Sequence, residues 1–528
     1  MPKRDRSDLD DDVDQTLVKR GRLGPKRSLS ALSDEILLRV LSFLTFRDLL
    51  VTERVSSRFR ALATDREIWK ARYYDAWVKS RLRRRPPLTQ RPDKTTNIAK
   101  AAQWLEAGQR FKFGKSADWK RQYKIRSNWD IGTARVREIE IAQPPSPPAI
   151  AKVHQNMVFT ADREAGLRAW LQKDSARALR SQIDIESTAE TLCMAVADID
   201  GGVGVLLGFD DGSFSLYLLR TTQDFSLECS YQSLDGPLMA VALMESHVMT
   251  ISKTQFLSIY HIQSKPQAKG LERTLTSIMR LQSDASFSPV SVALRKTPGA
   301  GIIGSVAYAF NRLQSGWCLG LQEICLSHSG EITTSRLTST IDTPIDPAPK
   351  GGNTWEVTSR STSTLPLALY PQLMSAPTSL SYEHPFVVCS LSDNTLMSYL
   401  VTSTSDKLEI RTGRRLWGHT SAVSGVQVNG RGKAVSISSK GEEIRAWELE
   451  DVMTAVLPRR TSTAIKGVAG LAGVVAALAQ RGSGLGLALD ELRREQSLTR
   501  RWVGFDDEQV VILGNRDQAQ IMAVYDFT

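Results

Sequence analysis

The chain has 528 residues, of which 41% are hydrophobic and 24% are charged, a composition of ordinary globular proteins that excludes global disorder. Its five cysteines show no metal-ligand spacing, which excludes a disulfide scaffold and suits a reducing compartment. The sequence predicts no signal peptide, and the longest apolar run, residues 467–479, is shorter than the roughly 20 residues of a membrane-spanning helix. We therefore expect an intracellular protein of the nucleus or cytoplasm with no membrane partner.

Residues 1–27 alternate in charge without apolar periodicity and are predicted to be a disordered tail, with a possible nuclear-import signal at 19–27. The net charge of +11 is concentrated in residues 79–126, which contain 15 basic and 3 acidic side chains. We favour a solvated connector for this basic segment. The alternatives are attraction of an acidic partner and, less favoured, nucleic-acid binding.

Residues 28–78 predict a small helical module. The first helix begins near Ser33 with two carboxylates in its first turn, where the helix dipole favours them, and apolar side chains then follow the helical period. Thr45 and Asp48 have capping-box spacing for a second helix, and two further helices are expected, the last starting near Asp65. Such short helices enclose little core, so either a partner or the rest of this chain is expected to cover the apolar stripe.

The run LSDEILLRVLSFLTFRDLL from residue 32, followed by VSSRF at 55–59 and IWK at 68–70, resembles an F-box. The resemblance implies docking on a Skp-type adaptor and, through it, on the cullin of a ubiquitin ligase. By this match, the adaptor contacts would be Leu32, Ile36, Leu37, Val40, Leu41, Leu44, Leu49 and Val55. Serine or phenylalanine stands at three positions where the family usually has proline, cysteine or tryptophan, and no apolar contact is lost outright.

Residues 79–133 are predicted to be a basic helical linker. Trp119 and Tyr123 are four residues apart and therefore share one helix face. The run WKRQYKIRSNWDIG from residue 119 resembles the segment between the F-box and the propeller in F-box/WD-repeat proteins. The resemblance implies that Trp119, Tyr123, Asn128 and Trp129 anchor this helix and fix the angle between the two modules.

Residues 134–528 consist of short β-branched and apolar runs between Gly, Asp and Ser turns, a pattern that predicts strands. Six units recur, and a less regular unit at 290–338 makes seven. With a Ser/Thr/Pro-rich insert at 339–372 and an Ala/Gly-rich insert at 459–500 subtracted, about 46 residues remain per unit, near the roughly 40–45 of a four-stranded propeller blade. We expect an all-β seven-bladed propeller.

The run LWGHTSAV from residue 416, with the strand that ends at Trp447, resembles a WD repeat. Together with the F-box match, this resembles the F-box/WD-repeat family, whose members are substrate receptors of Skp–cullin–F-box ligases, and the closing stretch resembles fungal members. Closure of a propeller without exposed edges needs an early strand in the last blade. VREIEI at 136–141 alternates correctly to be that strand.

The sequence predicts no catalytic site, metal or cofactor. Cys318, Cys325 and His328 have no zinc spacing, and GSGLG at 482–486 lacks the Lys-Ser/Thr of a phosphate loop. We therefore expect a non-enzymatic receptor, which acts by holding a substrate lysine near a charged ubiquitin carrier. The alternative is a propeller scaffold without a ligase role.

In WD-repeat geometry, the residue seven before the closing aromatic lies in the loop between the second and third strands of a blade. Four of six residues in these loops are basic, namely Arg163, Lys253 and Lys440 at this position and Arg516 in the equivalent loop of the last unit. The resemblance implies a rim that binds an acidic or phosphorylated substrate segment, as some family members do. Ordinary solvated loop charge is the alternative.

Overall fold

The computed structural model describes most of the helical module and of the repeat region. The described residues are Leu29, 32–79, 118–142, 149–341, 375–450, 462–469 and 499–528, apart from gaps at 174–175, 188, 221–223, 268–269, 284–287, 298–300, 313–315, 328–330, 405–406, 412, 439–442 and 517–518. The predicted tail at 1–27, linker residues 80–117, His328, Lys440, most of both inserts and the GSGLG run lie outside them. The described residues fall into a helical unit, which ends at Lys79 and includes Asp118–Lys120, and a strand unit that begins at Arg121.

The helical unit contains the four predicted helices, which are confirmed. They are α1 (Asp34–Ser42), α2 (Phe46–Thr52), α3 (Ser57–Ala63) and α4 (Arg66–Tyr73), and a π-helical turn (Tyr74–Val78) follows. The Ser33 side chain accepts no capping hydrogen bond at the start of α1. At the start of α2 the predicted capping box is present, because the Thr45 hydroxyl accepts from the Asp48 backbone N–H and the Asp48 carboxylate accepts from the Thr45 backbone N–H.

A compact interior holds these short helices together. Its fully buried large side chains include Leu37, Leu49 and Trp69. The Trp69 indole N–H donates to the Ala63 carbonyl at 2.8 Å, so the polar atom of the largest buried side chain is satisfied. The Lys120 ammonium lies 2.6 Å from a Glu53 carboxylate oxygen, so the start of the next helix belongs to this unit.

The strand unit begins within α5 (Trp119–Ile131), which leads into β1 (Thr133–Ala142). Gly132 separates them with φ +79°, and a side chain there would meet the Ala464 carbonyl oxygen. Only glycine fits this tight turn.

The first three sheets each contain four antiparallel strands in chain order. They are β2 (Ile150–His154), β3 (Met157–Asp162), β4 (Gly166–Lys173) and β5 (Ala176–Ile183); β6 (Thr191–Ile199), β7 (Gly202–Phe209), β8 (Phe214–Leu219) and β9 (Phe225–Tyr231); and β10 (Leu238–Met244), β11 (His247–Ser252), β12 (Phe256–Gln267) and β13 (Gly270–Gln282). This repeated antiparallel order is that of a propeller blade.

The fourth and fifth sheets continue the pattern. They are β14 (Val290–Lys296), β15 (Ile302–Arg312), β16 (Gly316–Leu326) and β17 (Ile332–Ser339); and β18 (Pro377–Glu383), β19 (Phe386–Leu391), β20 (Leu396–Ser403) and β21 (Leu408–Ile410), with β22 (Arg414–Leu416) also paired to β20. The less regular unit predicted at 290–338 is therefore an ordinary four-stranded sheet.

The sixth sheet has eight strands. They are β23 (Val423–Val428), β24 (Lys433–Ser438), β25 (Ile444–Glu448), β26 (Ser462–Ala469), then β1, and then β29 (Ala519–Asp526), β28 (Gln509–Arg516) and β27 (Thr499–Phe505). The predicted insert at 459–500 is wrong where it includes β26, because these residues pair with β25, with Ile465 opposite Ile444. The sheets among the described residues number six, so the seven blades stay a prediction.

The predicted closing strand is confirmed and is longer than predicted. β1 pairs antiparallel with β29, with Val136 opposite Tyr525, and parallel with β26. An apolar core also joins this last sheet to the first, with Ile141 and Val511 packed near Ala151 and Val158. The last sheet therefore packs on the first and closes the series.

No helix in the described part of the chain is long and apolar enough to cross a membrane.

Candidate functional site

The helical unit exposes several large apolar side chains within twenty residues of chain. Their exposed fractions are 51% for Ile36, 43% for Val40, 75% for Phe43, 64% for Val51 and 66% for Val55. Ile36, Val40 and Phe43 are spaced by four and three residues and therefore share one face of α1. Exposed apolar clusters of this kind mark interaction surfaces in soluble proteins.

Burial divides the eight residues predicted to contact an adaptor. Leu37, Leu41 and Leu49 are buried among the helices, so we correct their assignment from adaptor contacts to the interior of the helical unit. Successive helical residues point about 100° apart, and adjacent apolar positions therefore face both the interior and the solvent. Among the other five predicted residues, Leu32 and Leu44 are half-buried, and Ile36, Val40 and Val55 are exposed.

The sequence reasoning missed Phe43 and Val51, which are as exposed as the predicted contacts. The available signal was their spacing, since Phe43 follows Val40 by three residues and Val51 precedes Val55 by four. Which of the exposed side chains contact an adaptor stays a prediction.

Two of the predicted linker anchors contact the strand unit through the C-terminal part of α5. The Trp129 ring stacks on Phe527, with 3.9 Å between ring centroids, and its indole N–H donates to the Asp507 carbonyl at 2.9 Å. The Asn128 amide donates to the Phe527 carbonyl at 2.8 Å. These contacts hold the C-terminal part of α5 against Asp507 and Phe527.

The other two predicted anchors lie nearer the start of α5. The Trp119 ring contacts the rings of Tyr73 and Tyr74 at centroid distances of 5.6 and 6.1 Å within the helical unit. Tyr123 is half-buried. That these residues fix an angle between the modules stays a prediction.

A buried lysine lies beneath the anchored tryptophan. The Lys433 ammonium is 3.7 Å from the centroid of the Trp129 ring, and the residue is only 8% exposed. Burial, together with the nearby Arg126 charge, lowers the pKa of Lys433 to about 7, although Glu448 opposes this. The surface on which α5 packs therefore contains a lysine, Lys433, that loses its proton near pH 7.

The structure places three of the four predicted rim cations, and their surroundings differ. Arg163 and Lys253 lie exposed in the β3–β4 and β11–β12 turns, without an ion pair among the described residues. Arg516 is largely buried and forms a two-pronged ion pair with Glu138 at 2.6 and 2.9 Å, so its charge is compensated. Lys440 lies outside the described residues.

The WD-like repeat contains a buried hydrogen-bond chain. His419 Nε2 lies 2.6 Å from the Ser436 hydroxyl, which also accepts from the Trp447 indole N–H at 2.8 Å. The Glu443 carboxylate lies 3.4 Å from His419 Nδ1. Residue 441, where the family often has aspartate, lies outside the described residues. Burial lowers the pKa of His419 to about 4, so the imidazole is neutral at pH 7 and its role is structural.

Two of the cavities in the strand unit are lined in part by basic side chains. One of about 1150 Å³ is lined by residues that include Arg295 and Arg336, whose guanidinium groups hold the buried Glu323 carboxylate at 2.9 and 3.0 Å. The other, of about 270 Å³, lies between the third and fourth sheets beside Lys253. Within the described residues, no group of three His, Cys, Asp or Glu side chains is placed to hold a metal ion.

Both units match known families. Residues 134–528, about three quarters of the chain, match the family described as F-box protein pof12 beta-propeller, and residues 30–75 match the F-box-like family. No curated protein matches the chain. Among solved structures, the WD40 beta propeller domain of Doa1 is similar at 10% identity and a TM-score of 0.37, covering 74% of this chain and 96% of that chain.

Proposed function

Because this chain belongs to the family of F-box protein pof12 beta-propellers, we propose that it is a substrate-recognition subunit of a Skp–cullin–F-box ubiquitin ligase. The helical unit binds the Skp-type adaptor, the propeller binds a substrate protein, and the chain itself supplies no catalytic group. The observation that carries the proposal is the set of exposed apolar side chains on α1 and α2 and in the residues that directly follow them, within the part of the chain that matches the F-box-like family.

The exposed side chains on α1 and α2 and in the residues that directly follow these helices provide apolar surface for adaptor binding. Complete burial of a valine, isoleucine or phenylalanine side chain contributes roughly 1.5–3 kcal/mol, and a partly exposed one contributes less. Ile36, Val40, Phe43, Val51 and Val55 together are therefore able to offset an association cost at the lower end of the range of about 4–15 kcal/mol.

We further propose that the propeller has seven blades. The eight-stranded sheet divides into two groups of four strands where β26 pairs parallel with β1. The two groups pack on each other through an apolar core that includes Val435 of one group and Ile512 of the other. This packing is the relation expected of neighbouring blades, and it supports seven when the five other sheets are added.

The substrate is proposed to bind at the end of the propeller that carries the turns between the second and third strands of each blade. Arg163 and Lys253 lie in two of these turns, and neither has an ion pair in the part of the chain that the structure describes. Unpaired cations favour an acidic or phosphorylated partner. Arg516 is left out of this set because Glu138 compensates its charge.

Adaptor binding is tested with purified full-length chain and a Skp adaptor by calorimetry. We expect Val40→Asp together with Val55→Asp to weaken binding at least 100-fold, because the charges remain exposed in the free protein but would be buried in the complex. Arg66→Asp places one such charge on α4 as a control and is expected to change the affinity less than threefold. Equal loss in both proteins, or no wild-type complex, would contradict the adaptor assignment.

The ligase role is tested in cells by the half-life of proteins that co-purify with the chain. If the chain is a substrate receptor, depletion of the adaptor lengthens the half-life of a bound partner. A propeller scaffold that binds the adaptor without directing ubiquitination leaves that half-life unchanged. The Val40→Asp, Val55→Asp variant is expected to have the same effect as adaptor depletion.

A further inference from the structure

We propose that the cleft between the third and fourth sheets binds a substrate segment in which an apolar side chain stands next to an acidic group, with Lys253 contacting the acid. The inference rests on the proposed function, in which this end of the propeller holds the substrate. A cavity of about 270 Å³ between β10–β13 and β14–β16 carries it.

The walls of this cleft are mainly apolar. Ile251, Leu257, Val306 and Tyr308 line it and also belong to the buried core between the two sheets. Leu281 lines it as well and is 40% exposed. The cleft is therefore a place where the core between two sheets remains open. Since a dry cavity of about 150 Å³ accepts benzene, this one has room for a leucine or phenylalanine side chain.

The turn that carries Lys253 is fixed by backbone hydrogen bonds. The Lys253 N–H donates to the Pro237 carbonyl at 2.7 Å, and the Gln255 N–H donates to the Ser252 carbonyl at 3.0 Å. The Ser283 N–H donates to the Gln255 carbonyl at 3.1 Å, so the turn is also tied to the segment that follows β13. A site that is ordered before binding loses less conformational entropy when the ligand arrives.

Lys253 gives the cleft a positive charge that no acidic side chain among the described residues compensates. Its ammonium is exposed and has no ion pair or side-chain hydrogen bond among the described residues. The nearby Arg280 is instead paired with Asp235 at 2.5 Å. A carboxylate or phosphate beside the inserted apolar side chain would therefore find a complementary charge, whereas a basic neighbour would be repelled.

Arg163 provides a matched comparison for Lys253. It is an exposed cation without an ion pair in the described residues, and it lies in the corresponding turn of the first sheet. It lines neither of the two cavities. Lys253 therefore combines an exposed cation with an apolar cleft, whereas Arg163 lies outside both of these cavities.

The test presents immobilised full-length chain with four octapeptide libraries of random flanks and a fixed central pair. The pairs are Asp-Phe, phosphoserine-Phe, Asp-Ala and Lys-Phe. We expect at least tenfold greater retention of one or both acidic-Phe libraries than of Asp-Ala and Lys-Phe, and the ratio between the two identifies the acid as carboxylate or phosphate. Equal retention of the Asp-Phe, phosphoserine-Phe and Lys-Phe libraries, or of the acidic-Phe and Asp-Ala libraries, overturns the inference.

Variants locate the selection at the cleft. Lys253→Glu is expected to reverse the preference from the acidic-Phe libraries to Lys-Phe, and Leu281→Arg to reduce retention of the acidic-Phe libraries at least tenfold. Arg135→Glu, at an exposed cation on β1 that lines neither cavity, is expected to leave retention unchanged within threefold. Equal effects of Arg135→Glu and Lys253→Glu would trace the preference to general charge and reject the cleft. If Leu281→Arg leaves retention unchanged but converts a dimer to a monomer in light scattering, a second copy covers the cleft and the inference fails.

Adaptor binding of each variant separates this inference from the proposed function. All three variants lie in the strand unit and are expected to bind the Skp adaptor as wild type does. A wild-type chain that binds the adaptor but shows no peptide selection rejects the cleft assignment alone. Peptide selection by a chain that does not bind the adaptor rejects the ligase role and supports the chemistry of the cleft.

Discussion

The helical unit and the strand unit bury their apolar side chains to different degrees. The helical unit exposes Ile36, Phe43 and Val55 to more than half of their surface, within about twenty residues of chain. The strand unit places its apolar side chains in cores between successive sheets, and its exposed ones, such as Leu234 and Trp417, are scattered over several hundred residues. A module of about fifty residues lacks the volume to bury a broad apolar stripe, whereas a closed ring of sheets buries nearly all of its own.

The largest expected effect comes from the interior of the helical unit. Leu49→Ala deletes a fully buried side chain and is expected to lower the free energy of unfolding of this unit by about 2–5 kcal/mol. Val51→Ala on the same helix alters an exposed side chain and is expected to change it by less than about 0.5 kcal/mol. Hydrogen exchange of the amides in α1–α4 measures both. Similar losses of stability in the two variants would show that the Val51 side chain is packed rather than exposed in the isolated chain.

A smaller loss of stability is expected in the strand unit when the buried hydrogen bonds to the Ser436 hydroxyl are removed. Ser436→Ala removes the shared partner of His419 and the Trp447 indole N–H, and leaves both buried without it. An unsatisfied buried polar group costs about 1–3 kcal/mol. Ser335→Ala alters an exposed serine on β17 and is the control, expected within about 0.5 kcal/mol. Urea unfolding of both variants measures the difference in stability. Equal stability would refute the structural role of the hydrogen bonds to Ser436.

The smallest effect is a pH dependence of stability that arises from Lys433, beneath Trp129 of α5. The folded pKa of Lys433 is lowered to about 7, while an unfolded lysine titrates near about 10.4, so the unfolded state holds more protons above pH 7. Stability is therefore expected to rise with pH, by up to about 2 kcal/mol between pH 7 and pH 8.5. Lys433→Met removes this contribution, and the difference between the two proteins isolates it from other groups. Parallel stability curves in urea would mean that Lys433 stays charged in the fold.

The helices, the closing strand and the repeated sheets could be predicted because local patterns determine them. The helical period, the Thr45–Asp48 capping box and the alternation at 136–141 are all visible within a few residues. The family match of residues 134–528 supports the prediction of a propeller in this part of the chain. The predicted insert at 459–500 was wrong at β26 because a small-residue strand with one lysine resembles a loop in composition.

The chemistry of the binding surfaces was harder to predict because it depends on residues far apart in sequence. Nothing near Arg516 indicates that Glu138, 378 residues earlier, neutralises it. The division of the stripe into buried Leu41 and exposed Val40 depends on how the helices pack. The cleft beside Lys253 went unpredicted because two separate sheets form its walls.

The pairing of β1 with β29 has a consequence for synthesis of the protein on the ribosome. β1 emerges first among the described strands, and its antiparallel partner at 519–526 is the last of them to be translated. Until then β1 lacks that neighbour, and the nascent chain presents an open edge that invites association with other chains. Premature termination before residue 519 would make this state permanent, so we expect truncated products to be captured by chaperones or degraded rather than to accumulate as folded protein.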